Sequence, residues 1–322
     1  MEYTSYGWLT PKTWERTFGG DEVGSVQQTS DGGYIVVGSV YSGSESSDIL
    51  LPNTSDIFLI RIDASGNKIW DKTFGGIQKD WGQSVLQTSD GGFIICGATK
   101  SYGSGDMDVW LIKTDSNGNK IWDKTFGGSY DDVGYSVKQT SDGGYIIVGS
   151  TGSYGRGGDI WLIKTDTNGN LKWDKTFGGP NQEQGRSVKQ TNDGGYIIAG
   201  YNNLNFSEGN AWLIKVDSLG NWEWDKIFKD IHDGLSVLQT YDGAYIVLCG
   251  THQRQNPYWL IKVDAYGNLL WDKHLQGFPI WASQDLISQT ADSRYIITGL
   301  YQFDGPSSAM LMKVDAEGNQ EW

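Results

Sequence analysis

The 322-residue chain carries three histidines, His232, His252 and His274, spaced 20 and 22 residues apart. Imidazole titrates near neutrality, so a cluster of such rings can bind zinc or act as a general base. Asp233 and Arg254 stand close by in the sequence. Together the five residues fit a hydrolase or lyase acting on a polysaccharide or a peptide. Their spacing matches no recognised metal motif, so this set (His232, Asp233, His252, His274, Arg254) stands as the alternative reading, with no catalytic residue and no metal ligand assigned. A second set suits binding instead: Asp80, Trp81, Asp132, Tyr135, Glu183, Arg186, Asp233, Trp281 and Asp285. Aromatic faces stack on the C–H faces of sugar rings while carboxylates accept hydrogen bonds from their hydroxyls. The same carboxylates would attract a cationic ligand.

Composition narrows the partners. With 39 acidic against 25 basic residues the net charge is −14, a surface that repels phosphate backbones and argues against nucleic acid. The sequence holds no run of 18 apolar residues, so no helical membrane span is expected. A content of 45 glycines with 13% aromatic residues indicates many short strands joined by tight turns.

The elements that must position these residues come from a repeat. An Asp-Gly-Gly turn or its relic recurs at Asp31, Asp90, Asp142, Asp193, Asp242 and Asp292, at intervals of 59, 52, 51, 49 and 50 residues. Tryptophans keep the same beat at Trp14, Trp70, Trp122, Trp173, Trp224, Trp271 and Trp322. Units of this length are in the range of propeller blades. In the third unit, Tyr135–Thr140 alternates and Ser-Asp-Gly-Gly turns the chain. Tyr145–Gly149 then runs nearly continuously apolar, as in a strand buried on both faces. Ile160–Thr165 and Leu171–Phe177 follow, separated by Asp-Thr-Asn-Gly-Asn. These make four strands, A to D, with Gly or Asn at the turns. No window has helical periodicity. The fold class expected is therefore all-β, a six-bladed β-propeller of four-stranded antiparallel blades.

Strand D is represented at both ends, by Trp14–Phe18 and by the start of a strand at Gly318–Trp322. The N-terminal strand 14–18 is expected to close the ring as the outer strand of the last blade. That gives a single propeller domain over 14–322 and an N-terminal extension over 1–13, which lacks the features of a signal peptide. A segment excised from a longer array is the alternative.

Asp115-Ser-Asn-Gly-Asn-Lys-Ile-Trp122 resembles the tryptophan-docking motif of quinoprotein-type propellers, a family of dehydrogenases and non-catalytic assembly factors, with a spacing one residue shorter. No matching pocket motif accompanies it, so no cofactor is expected. A fuller resemblance, over about residues 14–322, is to the Thr-Ser-Asp-Gly-Gly-Tyr-Ile and Trp-Asp-Lys-Thr-Phe-Gly-Gly repeats of secreted or surface propellers of bacteria and archaea. It implies an extracellular or cell-surface location.

In a four-stranded blade the A–B and C–D loops share one face and the B–C and D–A loops the other. The first pair is monotonous in this chain, and the second varies in length and chemistry, with the longest B–C loop running from about Ser39 to Asp56. Loops on a rigid scaffold are where binding groups usually sit, so the site is placed on the variable face. The D–A loops bring Asp21, Glu22, Asp80, Trp81, Asp131, Asp132, Glu183, Asp233 and Trp281 there. The residue before each Ser-Val of strand A (Gln83, Tyr135, Arg186, Leu235, and Asp285 by alignment) is expected near the channel mouth. The B–C loops add Tyr41, Tyr102, Tyr154, Tyr201, Phe206, Tyr258, Tyr301 and Phe303, and all three histidines fall on this face. The blade-end tryptophans, and Trp110, Trp161, Trp212 and Trp259 opening strand C, read as packing. The Asp-x-x-Gly-Asn turns read as capped hairpins, since they lack the alternating carboxylates of a calcium loop. Asp106-Met-Asp108 and the Gly-rich loop 152–158 make no phosphate site, because no helix follows. Cys96 and Cys249 fall three blades apart, beyond disulfide reach, and are expected as buried apolar groups. The first reading is a monomeric, non-catalytic binding module for a glycan or surface partner. A structural repeat segment of a larger surface protein is a further alternative.

Overall fold

The structure is a computed structural model that describes residues 19–41, 54–203, 209–229, 231–250, 258–275, 286–301 and 308–322. Among these residues there are 23 strands and no helix, and the strands form six antiparallel sheets. Blade 1 comprises β1 (Glu22–Gln28), β2 (Tyr34–Tyr41), β3 (Ser55–Ile62) and β4 (Lys68–Phe74). Blade 2 comprises β5 (Asp80–Gln87), β6 (Phe93–Thr99), β7 (Asp108–Thr114) and β8 (Lys120–Phe126). Blade 3 is β9 (Asp132–Gln139), β10 (Tyr145–Thr151), β11 (Asp159–Thr165) and β12 (Leu171–Phe177). Blade 4 is β13 (Glu183–Gln190), β14 (Tyr196–Asn202), β15 (Asn210–Val216) and β16 (Trp222–Phe228). Blade 5 is β17 (Asp233–Gln239), β18 (Tyr245–Gly250), β19 (Tyr258–Val263) and β20 (Leu269–Leu275). In blade 6, β21 (Ile287–Gln289), β22 (Tyr295–Tyr301) and β23 (Ser308–Val314) form a three-stranded sheet. The chain is a six-bladed β-propeller.

The expected closing strand 14–18 lies outside the described residues, as does the 1–13 extension. Beside the last residues of β23 the chain begins a fourth strand, where the sequence placed the start of one at Gly318–Trp322. Glu321 donates its N–H to the Lys313 carbonyl at 2.8 Å, and Lys313 donates to the Trp322 carbonyl at 2.9 Å.

The second and third strands of each blade are apolar on both sides, so each blade buries its faces against its neighbours. Five apolar layers result, one between each pair of consecutive blades from 1–2 to 5–6. In the layer between blades 2 and 3, Leu86, Ile94, Cys96 and Leu111 meet Val137, Tyr145, Ile147 and Ile163. Cys96 and Cys249 are free thiols buried in separate layers, as expected from the sequence.

Five of the blade-end tryptophans dock on the glycine of the next blade's C–D turn. Trp70 lies over Gly118, Trp122 over Gly169, Trp173 over Gly220, Trp224 over Gly267 and Trp271 over Gly318. These glycines have φ between +75° and +81°, and a Cβ on any of them would run into the indole. Position and conformation both demand glycine there. The Asp that opens each C–D turn accepts N–H groups of its own turn, as Asp115 does from Asn117 and Asn119 at 2.9 and 2.8 Å. These are capped turns, as read from the sequence.

A cation on the third strand holds the A–B turn. Arg61, Lys113, Lys164, Lys215 and Lys262 are at most 8% exposed and pair with Asp31, Asp90, Asp142, Asp193 and Asp242. Burial alone would push the Asp193 carboxyl up. The Thr191 hydroxyl, Lys215 and the Gly195 N–H outweigh burial and bring it down to about 2. A second set of ties runs between blades, where the last glutamine of an inner strand accepts an N–H from the preceding blade's A–B turn. Gln87 takes Ser30, Gln139 takes Ser89, Gln190 takes Ser141, Gln239 takes Asn192 and Gln289 takes Tyr241, at 2.8 to 3.0 Å.

Two outcomes follow from the turns. A carboxyl held low in the folded state stabilises it above the unfolded value of ~4 and stops doing so as pH falls toward 2. Acid titration of the melting temperature should therefore show a declining limb from pH ~4 to ~2 that is shallower in Asp193→Asn. Ser293 stands where five other A–B turns have glycine and is the one non-glycine with positive φ among the described residues, at 63°. Relieving a side chain of that conformation is worth roughly 1 kcal/mol, so Ser293→Gly should raise the unfolding free energy by that amount in urea titration.

Candidate functional site at the channel mouth

The first strands of consecutive blades contact one another and so surround the centre of the ring. Each of β1, β5, β9, β13 and β17 carries a β-bulge, and the bulged residues are Gly24, Gln83, Tyr135, Arg186 and Leu235. A bulge leaves its residue outside the ladder and re-aims the side chain. The bulges fall on the position before Ser-Val that the sequence marks as lying near the channel. Serine then serves the neighbouring strand: Ser25 accepts the Val85 N–H at 2.9 Å, Ser84 that of Val137 at 3.3 Å, and Ser187 that of Val237 at 3.3 Å.

Consecutive bulges place Tyr135 and Arg186 together. The guanidinium carbon of Arg186 lies 4.9 Å from the Tyr135 ring centroid and 5.8 Å from that of Tyr201 on β14. Two tyrosine rings thus hold one guanidinium by cation–π attraction. Its Nε lies 3.4 Å from Oδ2 of Asp233, the first residue of β17, as an ion pair without hydrogen-bond geometry. His232 from the D–A loop also stacks on Tyr201, at 6.4 Å between centroids with an interplanar angle of 15°. Burial pushes the Asp233 carboxyl up, against the pull of Arg186 and His232. Burial likewise raises the Tyr201 hydroxyl. Blades 3, 4 and 5 therefore converge on one cluster of Tyr135, Arg186, Tyr201, His232 and Asp233.

Several buried polar atoms of blades 4 and 5 are left without a hydrogen-bond partner. Arg186 Nε, Asp233 Oδ1, and the side-chain oxygens of Asn202 and Asn203 at the end of β14 are all buried without a hydrogen-bond partner. Orphaned buried polar atoms are few in native proteins, and a water or a ligand would satisfy these four.

The remaining sequence-marked residues lie elsewhere or do other work. Asp80 and Asp132 are fully buried and bind loop donors. Asp80 takes the Ser101 hydroxyl at 2.7 Å, the Gly76 N–H at 2.9 Å and the Thr99 hydroxyl. Asp132 takes the Ser153 hydroxyl at 2.6 Å and the Gly128 N–H at 2.9 Å. Glu183 is 1% exposed and accepts the Gly179 N–H at 3.0 Å. Trp81 is half-buried with Lys79 Nζ 5.9 Å from its ring centroid. Tyr102 and Tyr154 stack on Trp110 and Trp161, and their hydroxyls donate to the Gly75 and Gly127 carbonyls at 2.8 Å. His274 packs on Trp259, 4.1 Å between centroids, on the outer strand of blade 5, away from the inner strands that frame His232. Trp281, Asp285, His252, Arg254, Phe206 and Phe303 lie outside the described residues. Among the described residues no group of three or more His, Cys, Asp or Glu side chains gathers as a metal site.

Sequence reading did not single out Asp56 and Asp159 at the head of the third strands and weighed Asp108 only for a phosphate site, although each stands two residues before the aromatic that opens strand C. Each meets an acid of the following blade.

No protein-family profile matches the chain, and no curated protein sequence does. Solved structures do resemble it. A protein of unknown function from Bacteroides caccae superposes with a TM-score of 0.55 at 12% identity, covering 89% of this chain and 92% of its own. One from Dyadobacter fermentans DSM 18053 gives 0.57 at 12% identity, over 91% and 94% of the two chains. A puromycin hydrolase mutant complexed with PGG gives 0.53 at 14% identity, over 95% of this chain and 45% of its own. At these identities the likeness is one of fold.

Proposed function

We propose that the chain is a non-catalytic binding module whose ligand, a glycan or a glycan-bearing surface, seats at the channel mouth on Tyr135, Arg186, Tyr201 and Asp233. The observation that carries this reading is the coexistence of an unsatisfied donor, Arg186 Nε, with unsatisfied acceptors on Asp233, Asn202 and Asn203. A partner must both donate and accept there, and a hydroxyl does both. The aromatic rings supply area at low entropic cost, and the planar guanidinium is held ready between them. Several such contacts around a ring add through multivalency, which suits a repeating polymer at an extracellular or cell surface.

Calorimetric titration with a panel of soluble oligosaccharides tests the reading. Arg186→Ala and Tyr135→Ala should each weaken binding by about tenfold or more, on the order of 1.4 kcal/mol, in protein that circular dichroism shows to be folded. Tyr241→Ala, 69% exposed in the A–B turn of blade 5 on the opposite face, should leave affinity unchanged. No oligosaccharide binding, or binding indifferent to Arg186 and Tyr135, overturns the proposal. Turnover of a glycan or peptide that His232→Ala abolishes in a folded protein would replace it with the hydrolase or lyase reading.

A further inference from the structure

At three consecutive blade boundaries, two acidic side chains from neighbouring blades meet over one glycine. Asp56 and Asp80 meet over Gly75, Asp108 and Asp132 over Gly127, and Asp159 and Glu183 over Gly178. A Cβ on any of these glycines would collide with a carboxyl oxygen from both members of its pair. Within each pair the two acids are provided for unequally. Asp80, Asp132 and Glu183 accept the loop N–H and hydroxyl donors already described. Asp56 and Asp159 each keep Oδ1 buried without a hydrogen-bond partner, and Asp159 is only 5% exposed. No lysine or arginine forms an ion pair with any of the six acids among the described residues. Among the described residues the titratable groups facing these boundaries include the Tyr102, Tyr154 and Tyr201 hydroxyls and, beside Tyr154, Asp174; Asp108 accepts the Ser104 N–H at 2.5 Å, and Arg156 offers Asp159 its backbone N–H at 3.2 Å.

Two ionised carboxylates side by side in a buried place repel, whereas one proton between them turns the repulsion into a strong hydrogen bond. We infer that each pair holds a single shared proton, which joins adjacent blades across the loop face and is released as the surroundings become alkaline. The direction of titration agrees. Burial first, then the neighbouring Asp80, raises Asp56, and burial, then Asp132, raises Asp108. Burial raises Asp159 and Glu183 as well. Blade 4 supplies an internal control. Asn210 stands there in place of the aspartate and Lys229 in place of the glycine, while Asp233 turns to Arg186. The glycine is dispensable where two acids do not meet. This inference stands whether or not a ligand binds at the channel mouth.

A carboxyl raised in the folded state contributes its stability in full below the unfolded value of ~4 and loses it as pH climbs through the raised value. Thermal unfolding from pH ~5 to ~8 should show the wild type losing stability with rising pH, while the triple variant Asp56→Asn, Asp108→Asn, Asp159→Asn follows a flatter curve. At pH ~8 the variant should melt higher by on the order of 3 °C, and the two should converge near pH ~5. Asp108→Asn alone should show the same sign if the triple variant folds poorly. Isotope-edited infrared spectra of the wild type should contain a protonated-carboxyl band near pH ~6 that the variant lacks. Parallel melting curves or a missing band overturn the inference. So does stabilisation by calcium chloride at pH ~8 in the wild type alone, which would place a cation, not a proton, between the acids.

Discussion

A blade whose middle strands are apolar on both sides cannot cover either side by itself. Every face must be buried against the next blade, and the apolar layers of this protein accordingly lie between blades. With roughly 25 cal/mol gained per Å² of apolar surface removed from water, these layers are where the driving force for folding is concentrated. The polar chemistry is arranged around them. Tryptophan-on-glycine docking fixes the outer rim, glutamine-to-turn bonds fix one end of the inner strands, and serine-to-N–H bonds join successive inner strands. The buried lysines belong to the same scheme, since each holds its blade's first turn in the posture that the glutamine of the next blade requires.

The inner bulges translate that scaffold into a surface. A regular inner strand would send every side chain into a neighbouring blade, where the apolar layer or the serine contact already fills the space. One extra residue per strand escapes this packing, and its identity is free to differ from blade to blade: glycine, glutamine, tyrosine, arginine and leucine in blades 1 to 5. The scaffold is therefore repetitive while the mouth is not. Chemistry accumulates at blades 3 to 5 because adjacent bulges there hold Tyr135 and Arg186, and the neighbouring strand begins with Asp233.

Much of the fold was legible in the sequence because its signals are local. Asp-Gly-Gly marks a turn, Tyr-Ile-Ile-Val a strand buried on both sides, and Asp-Ser-Asn-Gly-Asn a capped hairpin. Tyr135 and Arg186 could be placed near the channel by counting from Ser-Val, and Asp233 on the same face through its D–A loop, although the bulge that aims the first two leaves no local signature. What the sequence did not disclose depends on pairs formed across blades. The acids at 80, 132 and 183 read as rim carboxylates, but Asp80 and Asp132 are consumed by loop donors such as Ser101 and Ser153, contacts that alternation and turn chemistry do not encode. His232 and His274 look equivalent in a list of histidines, yet one faces Tyr201 near the channel and the other Trp259 at the periphery. The pairing of Arg61, Lys113, Lys164, Lys215 and Lys262 with their A–B turn aspartates likewise depends on the folded blade and not on local pattern.

The glutamine and tryptophan contacts have one further property: each runs from a blade to its neighbour by the same pair of positions at all five junctions among the described residues. At those junctions every blade therefore presents the same donor edge and the same acceptor edge. Unequal recombination between near-identical segments such as Trp-Asp-Lys-Thr-Phe-Gly-Gly, present at 70, 122 and 173, would insert or delete one whole blade without creating a mismatched junction. Blade number in such a chain is then limited by the curvature of the closed ring and not by the specificity of its joints, so that the gene can explore ring size in single recombination events while the mouth residues diversify independently.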